Sequence, residues 1–134
     1  MKAIVEFIFT NRYATLARYI QFALAVIIFA YAALMPAPGD LGLNLSDVVL
    51  HIGGNTLLVV SAWLAIYRQV RLYQVLLLII TYSFIIESAQ GFTTKRSPEL
   101  FDIACNSIGI AIGFVICVGL ELYLRRFRLK NYHI

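Results

Sequence analysis

Residues 103–124 read IACNSIGIAIGFVICVGLELYL, and this run decides the class of fold. A helix needs about 20 mostly apolar residues to cross ~30 Å of hydrocarbon at ~1.5 Å per residue. Working outward, three more runs have that character: 19–35 (YIQFALAVIIFAYAALM), 48–67 (VVLHIGGNTLLVVSAWLAIY) and 72–90 (LYQVLLLIITYSFIIESAQ). The last span opens at Ser97-Pro98-Glu99, with Ser as cap and Pro as first helical residue, so it extends over 98–124. No run sustains the two-residue alternation of a barrel strand. The expected fold is an all-α membrane protein, a four-transmembrane-helix bundle forming a single domain over 1–134.

Composition supports this class. Apolar residues make up 61% of the 134 and charged residues 13%, against roughly half and a quarter in ordinary soluble domains. So few charges exclude a water-soluble globule, a disordered chain, a secreted disulfide scaffold and a separate soluble catalytic domain. The net charge of +4 does not point to nucleic acid, because the basic residues flank the apolar runs. Lys2, Arg12, Arg18, Arg68, Arg71, Arg125, Arg126, Arg128 and Lys130 all fall on one side of the spans. Loops 36–46 and 91–101 carry only Lys95 and Arg96. By the positive-inside rule both termini are cytoplasmic and those loops face outward. Trp63, Tyr67, Tyr73 and Tyr123 fit an aromatic belt at the cytoplasmic ends.

Ala30-Tyr31-Ala32 offers a small-x-small cleavage pattern, so the first span also reads as a leader. The long segment before it and its own length favour retention as a span. Residues 1–17 read either as a short interfacial helix or as an amphipathic start to the first span. Cys105 and Cys117, twelve positions apart on one helix, lie ~18 Å apart along its axis and cannot form a disulfide. Both read as small packing residues.

Polar residues inside the spans carry the functional signal, because a charge at mid-membrane costs on the order of 3 kcal/mol. The second span presents Asp47, His51 and Asn55 at spacings of four, after Ser46 as N-cap. The third ends with Glu87 and Gln90 on one face, before Gly91 as C-cap. The fourth carries Asp102, Asn106, Gly109 and Gly113 in one stripe. Asp47, Gln90 and Asp102 form a rim near the outer face, and His51, Glu87 and Asn106 lie a turn deeper. Arg96, on the last loop, is placed to bend over that rim. A pocket open to the outside is expected, with Gly53, Gly54, Gly109 and Gly113 letting the second and fourth helices approach. Against it stand bland readings. Asp47 and Asp102 would complement helix N-termini, Asn55 and Asn106 would be interhelical glue, and His51 a satisfied packing residue. Glu121 and Arg125 read as a solvated i,i+4 pair.

Two motifs resemble the VanZ-like family, small bacterial membrane proteins named for an accessory teicoplanin-resistance protein. One is Asp47-x-x-x-His51; the other runs Glu87-x-x-Gln90 through Arg96, Asp102 and Asn106 to Gly109. The resemblance covers roughly residues 45–115 and departs at Val48, where the family often has Lys. It implies a bacterial plasma-membrane protein of the cell envelope and supplies no reaction.

Two functions compete. In the first, Arg96, with Asp47, Asn55, Gln90, Asp102 and Asn106, binds a lipid-linked or anionic envelope component and alters susceptibility to glycopeptide and lipoglycopeptide drugs. In the second, the protein is an enzyme at the membrane interface acting on a polyprenyl- or phospholipid-linked substrate. There His51 is base or nucleophile, Glu87 acid or orienter, and Arg96 the electrostatic stabiliser. Partners are membrane lipids and no nucleic acid. No cofactor is expected, with a divalent metal on Asp47, Glu87 and Asp102 the lesser option. A polar path across the bilayer is not expected of a monomer.

Overall fold

The computed structural model describes residues 7–34, 47–67, 69–92 and 100–129, with backbone alone at 47 and 127–129. Four helices make up the bundle: α1 (Arg12–Leu34), α2 (Asp47–Ile66), α3 (Leu72–Gln90) and α4 (Leu100–Leu129). A short helical stretch at 7–10 precedes α1, and no strand occurs among the described residues. Each of the four is long and apolar enough to cross a membrane.

The bounds match the sequence expectation closely for α2 and α3 and differ for the others. α1 begins at Arg12, not at Tyr19, because Asn11 caps it: its Oδ1 accepts the amides of Tyr13 at 2.8 Å and Ala14 at 3.3 Å. α4 is 30 residues and runs on to Leu129, so it spans about 45 Å and its basic last turns pass beyond the hydrocarbon. At the end of α3, Gly91 takes the expected position but with right-handed backbone, φ −62° and ψ −19°. Phe92 N–H closes the turn onto the Ala89 carbonyl at 3.1 Å, so no left-handed glycine is used. The expected caps at Ser46 and Ser97-Pro98 lie outside the described residues.

α2 sits at the centre and packs on all three other helices, most extensively on α4. Glycine explains that seam. A Cβ on Gly113 would stand 2.7 Å from Val59 Cβ, and one on Gly109 would overlap the Ile52 carbonyl oxygen. The backbones are close enough for Thr56 Oγ1 to lie 2.8 Å from the Ile52 carbonyl and 3.0 Å from that of Gly109. The expected role of Gly53 and Gly54 needs correcting. Gly53 faces open space, and Gly54 accommodates the Phe29 ring, so it serves the α1–α2 seam. Below the polar residues the core is apolar: Leu58, Val59 and Ala62 from α2, Val75 and Ile79 from α3, Phe29 from α1 and Cys117 from α4. Both cysteines are free and buried.

α1, considered above as a leader, is tied into the bundle by side chains donating to backbone carbonyls. Arg18 Nη1 donates to the Leu64 carbonyl at 2.7 Å, Gln21 Nε2 to Ser61 at 3.0 Å, and Tyr82 Oη of α3 to Val26 at 2.7 Å. Arg18 thereby caps the C-terminal end of α2, where a cation complements the helix dipole. The aromatic belt is half realised. Tyr73 and Tyr123 are exposed, but Trp63 is buried and its ring packs on Tyr67 at 4.7 Å, which in turn meets Phe9 at 4.6 Å.

Candidate functional site

A polar cluster forms where α2, α3 and α4 meet, at the end of the bundle opposite the arginines of α4. Asn106 is its hub. Its Oδ1 accepts from Asn55 Nδ2 at 2.7 Å and faces His51 Nδ1 at 2.9 Å, while its Nδ2 reaches Glu87 Oε2 at 3.4 Å. Asn55 also donates to the His51 carbonyl at 2.9 Å and accepts the hydroxyl of Ser83. His51, Asn55, Ser83, Glu87 and Asn106 are all buried. Burial is tolerable here because each amide is used as both donor and acceptor.

That pattern has a chemical consequence for His51. An acceptor at Asn106 Oδ1 requires the proton to sit on Nδ1. Nε2 of a neutral His51 then turns its lone pair toward Asp102 Oδ1, 3.7 Å away. One ring nitrogen of His51 is thus held by an amide and the other faces a carboxylate.

The structure gathers most of the predicted set. His51, Asn55, Glu87 and Asn106 share one network, and Asp102, with a fifth of its side chain exposed, adjoins it through His51. Gln90 goes elsewhere. It is buried and donates to the Ala33 carbonyl of α1 at 2.7 Å, so it ties the end of α1 to α3. The side chain of Asp47, and all of Lys95 and Arg96, lie outside the described residues. Among the described residues no group of three His, Cys, Asp or Glu gathers to hold a metal ion.

Sequence reasoning missed Ser83 and Thr56. Ser83 precedes Glu87 by four positions and so lies on the same face of α3, a spacing that was available to find it. The expected outward opening is bounded by loops 36–46 and 91–101, most of which lie outside the described residues. A cavity of about 560 Å³ opens sideways between α3 and α4, with Ser83, Glu87 and Asn106 in its wall beside Ile80, Phe84 and Ile103. A second, of about 530 Å³, lies between α1 and α2 and touches His51. Both are lined mostly by apolar side chains, so the polar cluster adjoins an apolar groove on either side.

The motif Glu87…Asn106…Gly109 is thus a real spatial unit, spread over two helices that meet a third. A profile of the VanZ/LLP1 family matches residues 3–124. The chain belongs to that family. The match runs beyond the 45–115 stretch that carries the motifs and takes in α1, which on its own offered only hydrophobicity. Four spans and this membership make it a membrane protein. No curated protein and no solved structure matches the chain.

Proposed function

We propose that this VanZ/LLP1-family protein sits in the bacterial plasma membrane with both termini cytoplasmic and binds a lipid-linked or anionic envelope component at its outer side. The observation that carries this reading is a buried, mutually bonded polar cluster lying against a sideways-opening apolar groove. An amphiphile has the same two parts, and it would bring its head to Glu87 and Asn106 while its chain stayed between α3 and α4. Asp47, at the start of α2, and Arg96, placed by sequence on the last loop, would complete the head site, with Arg96 supplying the cation for a phosphate or carboxylate. Occupancy of such a lipid would alter access of glycopeptide and lipoglycopeptide drugs to the cell surface.

The test is analysis of lipids and envelope precursors retained by the purified protein, wild type against Arg96→Ala and Glu87→Gln. A headgroup class kept by wild type and lost from both variants supports the reading. Identical profiles from all three overturn it.

A second reading, catalysis on the same lipid, is favoured by the orientation of His51, whose Nε2 is directed at Asp102. In that case His51→Gln would retain lipid and lose turnover. Orientation is tested separately by reporter fusions at each terminus.

A further inference from the structure

The basic end of the bundle holds a cavity of its own, remote from the polar cluster. It measures about 570 Å³ and lies among Trp63 and Tyr67 of α2, Arg71 and Tyr73 at the start of α3, and Glu121 and Arg125 of α4. We propose that this cavity binds the phosphate group of an anionic membrane lipid, independently of the envelope component proposed above.

Three observations support it. Two guanidinium groups and one carboxylate line the cavity, so its wall carries a net positive charge. Arg125 is bound to Glu121 at 2.6 Å through one Nη, yet two-thirds of its side chain is exposed. Its remaining N–H donors are therefore available to a phosphate, which a guanidinium binds bidentately. The positive end of the 19-residue α3 opens on the same place, with the Arg71 amide already taken by Gln74 Oε1 at 2.8 Å. Finally, Trp63, Tyr67 and Tyr73 give the wall the amphipathic aromatic character found at headgroup depth. Basic pockets between spanning helices on the cytoplasmic side are where anionic headgroups bind. An acyl chain would continue from the phosphate along the exposed apolar faces of α3 and α4, which free phosphate does not exploit.

Trp63 is the chain's single tryptophan and lines the cavity, so its fluorescence reports on occupancy. The full chain, purified in an uncharged detergent, is titrated with phosphatidylglycerol, phosphatidylcholine and inorganic phosphate. Phosphatidylglycerol should shift the Trp63 emission saturably, with phosphatidylcholine and phosphate far weaker. Arg71→Gln and Arg125→Gln should each weaken binding about fivefold, the worth of one cation near an anionic headgroup. Glu121→Gln should do the opposite and tighten binding, because it releases Arg125. Since that variant gains affinity, misfolding cannot imitate it. Equal response to phosphatidylcholine, or unchanged affinity in Glu121→Gln and both arginine variants, overturns the proposal. Equal affinity for inorganic phosphate overturns its assignment to a lipid.

Discussion

Charge is handled differently at the two ends of this bundle. Where α2, α3 and α4 meet, His51 and Glu87 are buried and reached by the amide of Asn106. At the basic end, Arg71 and Arg125 are exposed, and Glu121 holds Arg125 by direct ion pairing in a single helix. The first arrangement is a buried tertiary network that ties three helices; the second is local and exposed. The difference teaches where substitutions should hurt. Each buried group depends on a partner from another helix, whereas the exposed groups depend on little beyond their own turn.

The contrast is sharpened first at the glycine seam that holds the network together. Gly109→Val should cost about 3 kcal/mol, near the upper end for overpacking, because its Cβ meets the Ile52 backbone and not a flexible side-chain tip. Unfolding of the detergent-solubilised protein would measure it. Asn106→Leu comes next, at about 2 kcal/mol, since it strips an acceptor from both Asn55 and His51. Arg18→Ala should cost about 1 kcal/mol by uncapping the Leu64 carbonyl. Glu87→Gln keeps an acceptor oxygen for Asn106 and should change stability by less than about 1 kcal/mol. If lipid retention falls while the melting curve stays, the cluster is a site; if the protein unfolds, it is glue. Glu121→Ala, breaking an exposed helical pair, should fall within about 0.5 kcal/mol. A larger loss there would erase the contrast between the ends.

Much of this was legible in the sequence. Span length and apolar content set the four helices, and spacings of three and four put His51 with Asn55 and Asp102 with Asn106. Matching depth put His51, Glu87 and Asn106 at one level, but did not say that Asn106 would be the residue that bonds to both of the others. What could not be read was rotation of each helix about its axis. Gln90 and Glu87 are three positions apart, and their shared face is wide enough for one to meet α4 and the other α1. Arg18 looked like a flanking charge, because composition does not say that a carbonyl end of α2 lies beside it. The sideways cavity was equally hidden, since it depends on how far α3 and α4 splay. Gly53 and Gly54 are adjacent, so spacing alone could not say which neighbour either would serve.

The hub at Asn106 also constrains how the chain can vary in length. One residue inserted into α3 between Ser83 and Glu87 would swing the carboxylate by about 100° around the axis. Hydropathy would hardly change, and a span would still form, but Ser83 and Glu87 would no longer address Asn55 and Asn106 together. Indels in this half of α3 should therefore be rejected even where the bilayer itself would accept them, and length variation should collect in the connecting loops.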